Sequence, residues 1–87
     1  MTQDQLHPAA SRIVIDARGL NCPLPVLRLR KRLQSVAGGV AVELLATDPA
    51  AARDVPAFCE AQGHTVRAIQ DKGVYRFYVC KKFDSAD

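Results

Sequence analysis

Leu20-Asn21-Cys22-Pro23-Leu24-Pro25 stands between two patterns of different period. Before it, Arg12-Ile13-Val14-Ile15-Asp16-Ala17 sets Ile13, Ile15 and Ala17 on one side by alternation, the mark of a strand with one buried face. After it, Val26, Leu29, Leu33 and Val36 recur at threes and fours, with Leu27 alongside, as on the apolar stripe of a helix. The chain therefore opens as strand, turn, helix. Pro23 suits a first helical position, where its missing N–H has no partner to lose and its φ is already helical. Pro25 still lies in the first turn, where a missing N–H costs little. This reading runs the helix over Pro23–Ala37, stops it at Gly38-Gly39 and puts Cys22 at the N-cap. An N-cap thiol faces unpaired backbone N–H groups and the positive end of the helix dipole, and both favour the nucleophilic thiolate. Gly19, just upstream, permits a sharp turn or a close backbone approach.

The rest of the chain continues the alternation of elements. Val40–Ala46 is nearly all apolar and reads as a strand buried centrally or on both faces. Thr47-Asp48-Pro49 repeats the logic of a capping residue followed by proline. A short helical turn through Arg53 is expected to break near Asp54, because Pro56 sits poorly inside a continuous helix; Asp54 then caps a second piece over Val55–Gln62, ended by Gly63. Val55, Phe58, Cys59 and Gln62 share one side of that piece. His64–Gln70 and Val74–Lys81 read as strands joined by a hairpin loop, Asp71-Lys72-Gly73, with Gly73 at positive φ. Tyr75, Phe77 and Val79 form one face of the last strand; Val74, Arg76, Tyr78 and Cys80 form the other. The order β-α-β-α-β-β predicts a two-layer α/β sandwich, a four-stranded mixed sheet with the helices on one face. Arg67 and Arg76 make the other face partly polar.

The chain has 87 residues, room for one small domain that buries roughly 60–65% of its unfolded surface. Residues 1–11 read as an N-terminal tail, 12–82 as the domain and 83–87 as a C-terminal tail. His7 falls in the first tail and reads as solvated. No apolar run approaches the ~20 residues of a membrane span. Met1–Ser11 lacks the basic and apolar regions of a signal peptide, so a cytoplasmic location is expected. The three cysteines, Cys22, Cys59 and Cys80, are odd in number and far apart in sequence. That argues against a disulfide framework and against a zinc site of paired cysteines; neither a metal nor a cofactor is expected. The net charge of +3 is too mild to demand nucleic acid. Its placement says more: Arg28, Arg30, Lys31 and Arg32 lie on the helix behind Cys22, with Arg18 just before it, and predict a positive side near the thiol.

Cys22 follows the C-terminal end of a strand, at the sheet rim where α/β sites gather. A dithiol oxidoreductase needs a resolving cysteine, and position 25 is proline. A cysteine hydrolase needs a base, and neither His7 nor His64 stands in a recognisable signature. A lone thiol suits transfer between thiols or persulfides, where the leaving sulfur comes from a partner. Cys59, beside Phe58 on an apolar helix side, and Cys80, at a strand end, read as structural. Asp48 and Asp54 read first as caps; Asp48 is also placed to engage a basic side chain of the neighbouring helix.

Asp16-Ala17-Arg18-Gly19-Leu20-Asn21-Cys22-Pro23-Leu24-Pro25 resembles the signature of the TusA/SirA-like sulfur-carrier family, a CPxP motif after a D-x-x-G-L run. Thr47-Asp48-Pro49, Asp54-Val55-Pro56-Ala57-Phe58-Cys59, Gly63-His64 and Tyr75-Arg76-Phe77-Tyr78-Val79 extend the likeness over about Ile13–Lys82. The resemblance implies the same β-α-β-α-β-β sandwich. It also implies that Cys22 takes up sulfane sulfur as a persulfide and hands it on. Donors in the family are cysteine desulfurases or rhodanese-like proteins; acceptors include DsrE-like relay proteins of tRNA thiolation and sulfur-oxidation machinery. Arg30 and Asp48 occupy positions that resemble a basic and an acidic site residue of the family. Leu24 departs from relatives that often carry charge there, so the branch and the acceptor stay open. The expectation is a sulfur-relay protein, acting as a single copy, that docks partners through Arg28, Lys31 and Arg32. The alternative is an RNA-binding or regulatory module using the same basic helix. The fold resembles the RNA-binding C-terminal domain of a translation initiation factor, but no aromatic cluster for base stacking lies among those basic residues.

Overall fold

The computed structural model describes residues 13–83. The order is β1 (Ile13–Ala17), α1 (Leu24–Gln34), β2 (Ala41–Ala46), α2 (Ala51–Gln62), β3 (Thr65–Asp71) and β4 (Val74–Cys80). The predicted architecture is the one observed, a four-stranded mixed sheet with two helices on one face. The expected tail at 1–11, with His7, lies outside the described residues, and so does the tail expected at 83–87 except for Phe83.

The sheet runs β1-β2-β4-β3. β1 and β2 are parallel and in register, Ile15 opposite Leu44 and Ala17 opposite Ala46. β4 lies antiparallel to both of its neighbours, β2 and β3. Residues directly opposite one another share a face, so the register sorts the side chains. Ile15, Ala17, Val42, Leu44, Ala46, Phe77 and Val79 all fall on one face, and all are buried. Leu29 and Leu33 of α1 and Ala51, Val55 and Cys59 of α2 join them in a single core. Each large apolar side chain so buried contributes roughly 1.5–3 kcal/mol. On the opposite face Arg76 of β4 pairs with Glu43 of central β2 at 3.2 Å, and Arg67 is exposed on edge strand β3. That is the partly polar second face foreseen from the sequence.

Strand ends differ from expectation by a residue at most, Ala41 for Val40, Thr65–Asp71 for His64–Gln70 and Cys80 for Lys81, and the larger differences have local reasons. α1 begins at Leu24, not Pro23. The N–H of Leu24 donates to the Asn21 carbonyl at 2.9 Å, which makes Cys22 and Pro23 the centre of a turn; the first helical bond then runs from Leu27 N–H to the Pro23 carbonyl. The Cys22–Pro23 peptide is cis. At its other end α1 stops at Gln34, short of Ala37. The ammonium of Lys81 donates to the carbonyls of Leu33 (2.8 Å) and Val36 (2.6 Å), closing the terminus with a cation where the dipole is negative.

α2 is one helix with Pro56 inside it, not two pieces. An interior proline costs about 3 kcal/mol. Burying Val55 returns roughly 1.5–3 kcal/mol, and Ala51 and Cys59 on the same stripe are also fully buried, so the continuous helix wins. The hairpin loop is tighter than expected. Asp71 pairs with Val74 and belongs to the ladder, leaving Lys72 and Gly73 as a two-residue turn with φ of 52° and 82°. Past β4, the ring of Phe83 lies over Gly39; a Cβ there would meet the ring at 2.6 Å.

Candidate functional site

Parallel pairing of β1 with β2 brings their C-terminal ends, Ala17 and Ala46, to one rim of the sheet. The loops that follow therefore meet. The N–H of Gly19 donates to Oγ1 of Thr47 at 2.8 Å. The N–H of Cys22 donates to Oδ2 of Asp48 at 2.7 Å, and the other carboxylate oxygen, Oδ1, accepts the N–H of Ala50 at 3.0 Å. Thr47 and Asp48 thus tie the cysteine loop to the start of α2. Gly19 has φ +83° and open space where a Cβ would stand, so its role is the turn and not a close approach.

Among the described residues Asp48 makes no ion pair with a basic side chain, contrary to the expectation from the sequence. Both of its oxygens accept backbone N–H groups, and those bonds, the Cys22 one foremost, hold its carboxyl below the usual range. Arg18 likewise turns back. Its guanidinium binds Asp16 through two bonds of 2.8 Å and holds that carboxyl at about 2, so its charge is already matched.

Cys22 is half-buried and packs against the core. It is not the N-cap of α1; Pro23 holds that position and no side chain caps the helix. Its backbone is held instead at the entry to α2, by the N–H bond to Asp48. Partial burial first, then Asp54, then the charge of Asp48, push the thiol up from its ordinary value; Arg53 pulls the other way. The sequence expectation of a thiolate favoured by a helix N-terminus is therefore reversed. Arg53 itself pairs with Asp54, Nε to Oδ1 at 3.0 Å. Asp54 was read only as a helix cap. Its place in the first turn of a helix that starts at the same rim as Cys22 is visible only once β1 and β2 are paired.

The basic residues of α1 divide between two sides. Arg28, Lys31 and Arg32 line an open concavity against Val14, Ile15 and Asp16 of edge strand β1. Arg30 lines another, between the helices, with Leu27, Phe58, His64 and Lys82. Cys22 lines neither. At 1.5 Å of rise per residue, Arg28 stands roughly 6 Å and Arg32 roughly 12 Å along the axis from Leu24, where the helix begins. Instead of the single positive side expected, positive charge flanks α1 on both sides behind the thiol. Toward its N-terminus α1 exposes two large apolar side chains, Leu24 and Leu27, each 46% exposed.

The other two thiols are placed differently. Cys59 is wholly buried in the core, which pushes its thiol up to about 11. Cys80 pairs with Ala41 at the far end of the sheet, and its thiol contacts the Gly39 carbonyl at 3.5 Å. All three cysteines are free, and Cys22 is the one at this rim.

The family model described as sulfurtransferase TusA matches residues 13–81, which spans every element of the fold. The chain belongs to the TusA family. It is 40% identical over 82 residues to the sulfur carrier protein TusA of Pseudomonas entomophila strain L48, covering 93% of this chain and 98% of that one. The TusA of Pseudomonas putida strain GB-1 is 42% identical over 72 residues, 82% of this chain and 90% of the relative. Among solved structures, the SirA-like protein of Desulfitobacterium hafniense superposes with a TM-score of 0.72 at 28% identity, over 80% of this chain and 97% of that protein. Membership of the TusA family supports a role in sulfur relay, with a sulfur donor and a sulfur acceptor as partners. No helix among the described residues is long and apolar enough to cross a membrane.

Proposed function

We propose that this chain is a sulfur-relay protein in which Cys22 carries sulfane sulfur as a persulfide. The observation that carries the reading is the isolation of Cys22: a partly exposed thiol whose backbone is anchored at the sheet rim through its own N–H, with Cys59 in the core and Cys80 at the opposite end. Such a thiol has no resolving partner within the molecule, so it exchanges sulfur with other proteins. The relatives named sulfur carrier proteins support the same conclusion.

In loading, Cys22 Sγ attacks the outer sulfur of a donor persulfide, R–S–SH. A bond forms from Sγ to that sulfur, the donor S–S bond breaks, and the donor departs as a thiolate with the electron pair and then takes up the proton. The products are Cys22–S–SH and R–SH, with no net oxidation or reduction. Delivery to an acceptor repeats the step in the other direction. The donor class is a cysteine desulfurase or rhodanese-like protein, the acceptor a DsrE-like or other relay protein, in tRNA thiolation or sulfur oxidation. Arg28, Lys31 and Arg32 steer acidic partners toward α1, which affects encounter rate more than final affinity. The exposed apolar side chains of Leu24 and Leu27, toward the N-terminus of α1, supply the contact once docked. Three free thiols suit a reducing cytoplasm.

The test is intact-protein mass spectrometry after incubation with a cysteine desulfurase and cysteine. The expected result is a gain of one sulfur atom that is lost on reduction and absent from Cys22→Ser. A gain that persists in Cys22→Ser, or that never appears in the unaltered protein, would sink the reading. Steeply salt-dependent RNA binding unaffected by Cys22→Ser would favour the alternative, an RNA-binding module.

A further inference from the structure

β1 is an edge strand. In the order β1-β2-β4-β3 it bonds, among the described residues, to β2 alone, so the N–H and C=O groups of alternate residues point outward along its other edge. The concavity walled by Arg28, Lys31 and Arg32 lies along that edge. Val14 and Asp16 belong to the open face of the sheet and Ile15 to the covered face, yet all three line it, so it runs beside the strand and not over either face. Val14 stays 56% exposed. Asp16, the acid among the lining residues, is already bound by Arg18 through two bonds of 2.8 Å. Arg28, Lys31 and Arg32 are exposed and make no ion pair among the described residues. Unmatched positive charge therefore stands over a hydrogen-bonding edge.

We propose that this edge takes up an acidic, extended segment of a partner protein as a fifth strand, its backbone bonded to β1 and its carboxylates set against Arg28, Lys31 and Arg32. The dimensions agree. The five residues of β1 span roughly 13 Å at the rise of a strand. Arg28 and Arg32 stand roughly 6 Å apart along α1, and side chains two residues apart on an added strand stand roughly 6.6 Å apart, so alternating acids meet both. Charge chooses among occupants. A second copy added by the same edge would set one basic wall beside another, which repels. Residues 1–12 carry one acid, Asp4, against Arg12. An acidic strand from a partner has neither defect. β1 leads at Ala17 into the loop that holds Cys22, so a segment bound along it reaches the cysteine's rim. The inference rests on the reading of this chain as a relay protein that docks acidic partners, and it adds the mode of docking.

The experiment is an NMR titration of the isotope-labelled full chain with a short synthetic peptide alternating glutamate with valine, read by amide shifts and hydrogen exchange. The expected result is shift changes in β1 and α1, slowed exchange of alternate amides in Ile13–Ala17, and an affinity that falls with salt. Methylating the backbone nitrogens of the peptide, or exchanging its glutamates for lysines, is expected to weaken binding by about tenfold or more, as is Arg28→Glu combined with Arg32→Glu. Arg67→Glu, on the other edge strand β3, is expected to leave it unchanged. Binding that survives backbone methylation is charge attraction without strand addition and overturns the proposal, as does binding with no protection in β1. A dimer that protects β1 without peptide assigns the edge to a second copy. Binding seen only after the chain is cut before Ile13 or behind Phe83 assigns it to the chain's own ends. Either result overturns the proposal, and so does an RNA oligonucleotide that binds the same residues more tightly than the peptide. The peptide-side controls need no variant, so a misfolded double variant leaves the test intact. No sulfur donor enters the titration, so its failure is distinct from a failure of Cys22 to load.

Discussion

The backbone N–H of Cys22 donates to Oδ2 of Asp48 at 2.7 Å, across 26 residues of chain. The same carboxylate holds the N–H of Ala50. One side chain therefore anchors the cysteine loop and orders the entry to α2. Asp48→Ala is expected to lower the melting temperature and to reduce sulfur loading of Cys22, while Asp48→Asn, which keeps an acceptor oxygen, is expected to do less of both. The pH dependence has a definite sign. The two N–H bonds depress this carboxyl in the folded state, so its contribution is complete above the usual 3.8 and is lost as pH falls below that through the lowered value. Thermal unfolding of the unaltered protein and Asp48→Ala should differ by a constant gap near neutral pH, and the gap should close in acid.

Thiol reactivity in the native protein should rank by burial. Cys22 is half-exposed, whereas Cys59 is fully buried with its thiol pushed up to about 11 by desolvation. Iodoacetamide labelling followed by peptide mapping should find Cys22 modified first and Cys59 modified only once denaturant unfolds the chain. Equal labelling of the two under native conditions would contradict the placement of Cys59 in the core.

Nδ1 of His64 accepts the N–H of Lys82 at 3.1 Å and fastens the end of β4 to the start of β3. Protonating that nitrogen abolishes the acceptor. Burial, then the charges of Lys82 and Lys81, hold His64 below its usual 6.5. A depressed pKa places the stabilising contribution above 6.5 and removes it as pH falls through the lowered value. Hydrogen exchange of the Lys82 amide should be slow near neutrality, lose its protection on acidification, and be fast throughout in His64→Ala.

Two leucines on α1 test which side of the helix carries the stability. Leu29 is fully buried against the sheet, and Leu29→Ala is expected to cost about 2–5 kcal/mol. Leu27 lies beside the same stripe in sequence but is 46% exposed, and Leu27→Ala is expected to change stability by no more than about 0.5 kcal/mol. Denaturant titration of the two variants gives the comparison directly. Loss of sulfur transfer in Leu27→Ala at unchanged stability would locate a partner contact there.

Periodicity carried the architecture because it reports which face an element buries. Tyr75, Phe77 and Val79 alternate with Val74, Arg76, Tyr78 and Cys80, and the register puts the first set over Ala46, Leu44 and Val42 on the covered face. Boundaries were less legible because they depend on partners from elsewhere. Lys81, from the end of β4, closes α1, and burial of Val55 carries α2 through Pro56. The basic residues of α1 look like one group along the sequence. Helical geometry and the flanking elements send Arg30 to one side and Arg28, Lys31 and Arg32 to the other.

By itself the sequence determined the layered fold and singled out Cys22 at a strand–helix junction, since both follow from local spacing and from proline stereochemistry. Only the tertiary structure decided the state of that thiol. Parallel pairing of β1 and β2 brings Asp48 and Asp54 to the cysteine's rim, and electrostatic interaction depends on distance through space and not along the chain. The local turn takes Cys22 out of the N-cap, and partial burial first, then the carboxylates of Asp54 and Asp48, push its thiol up, where the spacing along the chain points to a thiolate favoured by a helix N-terminus.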